Sequence, residues 1–410
     1  MSHHHSGELP LNPAEARRVR VILAALVLPL LVATVVGMLA LWPRGETPIG
    51  SVPLAGTGMT IEAGEVVEVL GPDGDGGQVR VELSTGTGAG QVVPVQVPPE
   101  IMANGMGVGD ELRLMFSPEA MGTGSPYVFW DFERSSPVWI LVAVYAAVVL
   151  AVARWRGLAA MAGLGTSLAV IMLFVLPALM LGHPPLLVAL TGSGAMLFLS
   201  LYLAHGISIR TTTALLGTFV GLAVTATLGM WGTGSANLTG AGSDQSLILA
   251  APFPNLSLAD LLLCGIVIAG LGALNDVTIT QASAVWELHA ANPALPRRRL
   301  FAQGMRIGRD HIASTVYTLA FAYVGTALPV LMVASLMDRA VLDTLMAGEI
   351  AEEVVRTLVS SVGLVLAIPV TTAIAALLVS RAPARDRHRD GRRESGPVRT
   401  SPAPPVTMAR

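Results

Sequence analysis

Eight apolar runs recur along the chain, each near the ~20 residues that a helix rising about 1.5 Å per residue needs to cross the hydrocarbon layer. They cover residues 21–42, 138–153, 158–181, 186–204, 211–231, 256–274, 312–336 and 358–380. Lipid cannot hydrogen-bond a backbone, so runs of this length and apolarity must close their own N–H and C=O groups as helices. A different pattern fills residues 43–137. There, short alternating segments at 66–70, 78–83, 92–97 and 111–116 are separated by turn clusters such as Gly71-Pro72-Asp73-Gly74 and Gly107-Val108-Gly109-Asp110. The predicted class is membrane all-α: an eight-helix transmembrane bundle with a small extracytoplasmic β-rich domain, barrel- or OB-like, between helices 1 and 2.

Charge sets the orientation. With residues 1–20 as a cytoplasmic tail, nineteen of the 25 basic residues, all arginines, fall on the cytoplasmic side. Arg44, Arg80, Arg113, Arg134, Arg339 and Arg356 fall outside. One topology therefore meets the positive-inside bias in every loop, with both termini cytoplasmic. The domain plan is an anchor at 21–42, the β-rich domain at 43–137, a seven-helix domain at 138–380 and a disordered arginine-rich tail at 381–410. That tail has too few large apolar residues to bury a core. Its charge follows from topology and suits an anionic lipid surface, so nucleic acid is not an expected partner.

Composition narrows the chemistry. The chain is 52% hydrophobic and only 13% charged, far from the roughly 25% charged of soluble domains. Cys264 is the single cysteine, so no disulfide or zinc knuckle forms within one chain, and its plain role is a small core residue. His3, His4 and His5 read as a flexible tail rather than a metal site. The first apolar run exceeds a signal-peptide core and lacks a small-residue cleavage site, so it is expected to stay as an anchor. No Walker A loop, GxSxG elbow or HExxH motif is present, and neither an enzyme nor a cofactor is expected.

The informative residues are those that break the apolar pattern, because lipid-facing helices do not keep acids and amides. Around Asn275, the residues Asp276, Thr280, Ser283 and Glu287 fall at i, i+4, i+7 and i+11, one face of a helix. Ile279, Ala282, Val285 and Trp286 fall opposite. Gly265, Gly270 and Gly272 precede this seam and admit a break or re-entrant turn there. A second seam follows, with Arg306, Asp310, Ser314 and Tyr317 in helical spacing. The two suggest that Asp276, Thr280, Ser283, Glu287, Asp310 and Ser314 line a cytoplasm-facing polar cleft for an ion or small polar solute. The plainer reading is helix-to-helix glue or an interfacial ramp. Asp338, Asp343, Glu349, Glu352 and Glu353 form an outside acidic group in which Glu352 or Glu353 can pair with Arg356. Gly217 to Gly221 matches GxxxG and reads as packing. Pro29, Pro177, Pro329 and Pro369 are expected to kink their helices.

Several of these segments carry a resemblance. Gly272 through Val277, Ser283-Ala284-Val285, Glu287-Leu288 and Asn292-Pro293 resemble the most distinctive signature of the YibE/F family of bacterial membrane proteins. Gly304 through Asp310, Ala322 through Gly325, Leu328-Pro329, Ser361 through Leu364 and Ile368 through Thr371 follow that family's order. Asn275 and Thr278 depart from it, adding polarity beside Asp276. The resemblance implies a multi-pass protein of the bacterial cell membrane described as a permease of unidentified substrate. The expected function is transport of a small solute or ion. The alternative is a non-transporting scaffold that presents its extracytoplasmic domain to envelope partners. The expected partners are the lipid bilayer, the solute or ion, and an envelope protein reached through the β-rich domain.

Overall fold

The structure, a computed structural model, describes residues 13–51, 58–73, 76–122, 125–338 and 340–379. His3 to His5 and the arginine-rich tail lie outside the described residues. In chain order the elements are α1 (Pro13–Ala40), β1 (Thr60–Asp73), β2 (Gly76–Leu83), β3 (Val92–Val97), α2 (Pro99–Ala103), β4 (Glu111–Phe116), β5 (Tyr127–Phe132), α3 (Ser135–Val170) and α4 (Leu176–Met180). They continue with α5 (Pro185–His205), α6 (Ile209–Ser235), α7 (Asp244–Ala250), α8 (Leu258–Ala291), α9 (Arg297–Thr326), α10 (Leu328–Ser335), α11 (Val341–Leu345) and α12 (Gly348–Leu378).

Among the described residues, six helices are long and apolar enough to cross a membrane, or up to seven if α9 and α10, bent by 65° at their junction, form one broken span. The prolines act unequally. Pro29 and Pro369 sit within continuous helices, whereas Pro329 opens α10 just after the bend. Pro177 follows a π-helical turn, Ile171–Val175, where a wider turn accommodates the donor that proline lacks. Within α3, Arg154 is non-helical at φ 55° and ψ −133°. Near it a Cβ on Gly157 would lie 2.7 Å from the Val149 carbonyl oxygen. An unbroken helix separates those residues by about 12 Å, so the chain reverses sharply at Arg154.

The strands form one antiparallel sheet in the order β3-β2-β1-β4-β5. β1 is long enough to pair with two neighbours because register shifts after Val66 and Val69 bend it. The sheet curls until β3 and β5 approach each other, and the Ser125 hydroxyl ahead of β5 donates to the Pro94 carbonyl on β3 at 3.0 Å. Alternation fills the interior with Val66, Val79, Val81, Leu83, Val95, Val97, Leu112, Leu114 and Phe116.

The chain divides into two compact units. One holds residues 31–206 and 238–265, which include the sheet and α3 to α5. The other holds α6, the rest of α8, and α9 to α12. In this second unit small residues let the helices close. A Cβ on Gly221 would fall 2.6 Å from the Leu274 side chain, and one on Gly217 would strike the Thr371 hydroxyl. Leu274, Val277, Leu319, Leu364, Ala367 and Ile368 form an apolar layer there, and Val285, Trp286, Leu300, Ala375, Ala376 and Val379 form another.

Candidate functional site

α8 runs unbroken past Leu274 to Ala291, so its three glycines produce no re-entrant turn. It has two polar faces. The one anticipated from spacing is open: Asp276 and Glu287 are exposed and Thr280 and Ser283 half-buried. The Ser283 hydroxyl turns back to the Ile279 carbonyl at 2.7 Å. On α9, Asp310 and Ser314 are exposed, and the Ser314 hydroxyl donates to the His311 carbonyl at 3.1 Å. No hydrogen bond joins any of these six residues to another through side chains, and no ion pair links Arg306 with Asp310, among the described residues. Each seam lies on the side of its helix opposite the packed core.

The second polar face of α8 is buried, and the opposite-side grouping in the sequence concealed it. Thr278 and Gln281 sit among Leu274, Val277, Ala282 and Val285, and His289, 5% exposed, continues the same stripe. Gln281, 1% exposed, joins three helices. Its Nε2 donates to the Gly304 carbonyl of α9 at 2.9 Å and to the Thr372 hydroxyl of α12 at 2.7 Å. The Thr372 hydroxyl spends its own hydrogen on the Ile368 carbonyl at 2.7 Å. Both neighbours of the amide nitrogen are therefore acceptors, which fixes the amide orientation. Gln281 Oε1 is left buried without a partner. Gly304 and Gly308 make the arrangement fit: a Cβ on Gly308 would sit 2.6 Å from Ile368 and 3.2 Å from the Gln281 amide.

A turn away, the Thr278 and Thr218 hydroxyls lie 2.6 Å apart. Thr218 also reaches the Ala214 carbonyl at 2.9 Å, and Thr278 reaches the Asn275 carbonyl at 3.1 Å. Two hydroxyl hydrogens serve three contacts, so the pair can hold its hydrogens in either sense. On α12, Glu353, Ser360 and Thr371 share a face, at i, i+7 and i+18. Glu353 pairs with Arg356 at 3.3 Å, one of the two pairings expected. Glu353 Oε2, the Ser360 hydroxyl and His289 Nδ1 are also buried without partners.

The curled sheet carries its own buried acid. Glu62 on β1 is 5% exposed, with Oε2 unpartnered, and the Thr60 hydroxyl approaches Oε1 at 3.4 Å. The loop from Ser84 to Gln91 closes over it. Gly86, at φ +85°, leaves no room for a Cβ against the carboxylate. Burial first, then the Glu62 charge and hydrogen bond, push the Tyr127 phenol above its usual range. Among the described residues no group of three or more His, Cys, Asp or Glu is placed to hold a metal ion.

No curated protein and no solved structure matches the chain. The family comparison does match: residues 141–381 fit the model of the YibE/F-like protein family. That stretch contains both the buried and the exposed seams of α8 and α9, and it covers more than half of the chain. The chain therefore belongs to the YibE/F-like family.

Proposed function

We propose that this is a multi-pass protein of the bacterial cell membrane that moves a small solute or ion, without being an enzyme and without a cofactor. One observation carries the reading: Asp276, Thr280, Ser283 and Glu287 occupy the open face of a helix whose other face is packed in an apolar core. Thr278 packs beside Thr218, which lies about 12 Å of helix rise beyond Arg210. With Arg210 at the cytoplasmic surface, Asp276 then stands at a depth where lipid cannot solvate a carboxylate, so its face borders water. Counting α3 as two spans about its break at Arg154, and α9 with α10 as one, gives eight crossings. An even count puts both termini on one side, and with Arg210 on the cytoplasmic side our reading has both termini inside and the sheet outside.

The strand order, with α2 between β3 and β4, supports an OB-like reading of the sheet. The scaffold alternative draws on that domain: Val67, Val128 and Trp130 are apolar side chains exposed on it, where an envelope protein could dock. Two measurements separate the readings. In a Cys264→Ser background, Asp276→Cys should react with a membrane-impermeant maleimide added to inside-out vesicles, and no reaction rejects the water-lined face. Asp276→Asn should abolish the solute-dependent phenotype of a deletion strain while the protein level holds. A scaffold instead loses function when residues 50–132 are removed and keeps it in Asp276→Asn.

A further inference from the structure

We propose that the core between α6, α8, α9 and α12 is a proton route from Glu353 to His289, which makes the proton the ion that drives transport. The inference rests on the permease reading above and names its coupling ion. Six polar atoms at different heights of α8 and α12 are buried with no partner: Glu353 Oε2, Arg356 Nε, Ser360 Oγ, Asn275 Oδ1, Gln281 Oε1 and His289 Nδ1. Ser360 and Gln281 are each only 1% exposed. Buried polar groups are almost always hydrogen-bonded, so each such atom marks a hydrogen bond that the packing leaves to be made.

These atoms are not scattered. Glu353, Ser360 and Thr371 fall on the face of α12 that meets α6 and α8: a Cβ on Gly270 would lie 3.4 Å from the Ser360 hydroxyl, and one on Gly217 would strike Thr371. Thr278 and Gln281 of α8 continue the file at the level of Thr371 and Thr372, and His289 ends it. The Thr218 and Thr278 hydroxyls supply an exchange step. A proton arriving on one oxygen releases the hydrogen of the other, so the pair gains and loses one proton and inverts its hydrogen-bond sense. Glu353 and His289 are the groups able to take up and discharge a proton at the two ends, with Arg356 as the charged neighbour of Glu353.

The file is interrupted twice. Leu274, Leu364, Ala367 and Ile368, all 0% exposed, separate Ser360 from the Thr218 and Thr278 pair, and the apolar layer of Val285, Leu300 and Ala375 separates Gln281 from His289. Hydroxyls and water can relay a proton up to each layer but not through it. The two layers are the gates, and a proton passes only when the helices move apart at both. A permanently open file would dissipate the gradient.

The test uses the full-length protein in liposomes with a pH-sensitive dye inside and a potassium diffusion potential as the drive. Leu274→Ser combined with Val285→Ser wets both layers and should admit protons about tenfold faster than the parent or more, a modest lowering of the barrier. Adding Gln281→Leu or Thr278→Val should return the flux to the parent level, whereas Thr278→Ser should keep the leak. Leu274→Ala with Val285→Ala replaces the two serine changes if these do not elute as a folded species. Absence of a leak from a folded gate variant overturns the proton route. So does a leak that both Gln281→Leu and Thr278→Val leave untouched. No solute enters the assay, so its failure with Asp276→Cys still labelled removes the route alone, while loss of that labelling removes the permease reading.

Discussion

Asp131 shows how single groups set the pH response of the sheet. Its carboxylate accepts a hydrogen bond from Arg134 at 2.7 Å and one from the Phe132 N–H at 2.8 Å, and these two bonds hold it below the usual carboxylate range. A depressed folded value means the unfolded chain binds the proton more readily, so the contribution is present above the unfolded carboxylate pKa and is lost as pH falls through the folded one. The group is exposed and screened, so the effect is small. Asp131→Asn should lower the melting temperature slightly at pH 7 and leave it unchanged at pH 2.5, read from a thermal melt of the full chain. An equal deficit at both values would contradict an ionised partner for Arg134.

At the scale of elements, α9 is seated by glycine. Its Gly304 lies where a Cβ would fall 2.9 Å from Val285, and Gly308 presses on Ile368 and the Gln281 amide. Gly308→Leu forces these apart, and overpacking of this kind costs about 1–3 kcal/mol. Gly325, on the same helix with nothing within 4 Å of a Cβ, should accept alanine with an unchanged or higher melting temperature, because alanine favours a helix by about 0.5–1 kcal/mol. Thermal stability in detergent decides both, and equal tolerance of the two changes would show that α9 is not packed at Gly308. The contrast also marks what the sequence conveyed. The period-2 segments at 78–83, 92–97 and 111–116 became strands over almost the same residues because alternation states directly which side chains face inward. Asp276, Thr280, Ser283 and Glu287 share a face as their spacing predicts. Gln281 was passed over, and Thr278 registered only as added polarity beside Asp276, because a pattern cannot say which polar stripe meets a neighbour. That depends on Gly304, Thr372 and Thr218, which are distant in sequence. The reversal at Arg154 was legible only as a short polar gap between two apolar runs.

For the whole molecule, the proposed orientation makes the arginines of α9 and those around Arg154 and Arg210 neighbours of one aqueous phase, and the sheet a neighbour of the other. Single cysteines in a Cys264→Ser background test this without any assumption about function. Trp155 and Ile207 are strongly exposed, and Arg154 breaks the helix beside the first of them. Trp155→Cys and Ile207→Cys should therefore react with an impermeant maleimide in inside-out vesicles and resist it in intact spheroplasts. Ser125→Cys, in the curled sheet, should show the reverse. Cys264 itself, 2% exposed, should stay unlabelled in both until the protein is denatured. If Trp155→Cys and Ser125→Cys label from the same side, α3 does not carry two crossings on either side of Arg154, and the eight-span topology fails. The proton route would keep its two compartments, since Glu353 near the start of α12 and His289 near the end of α8 lie at opposite ends of one packed set of helices, and only its direction across the membrane would have to be assigned anew.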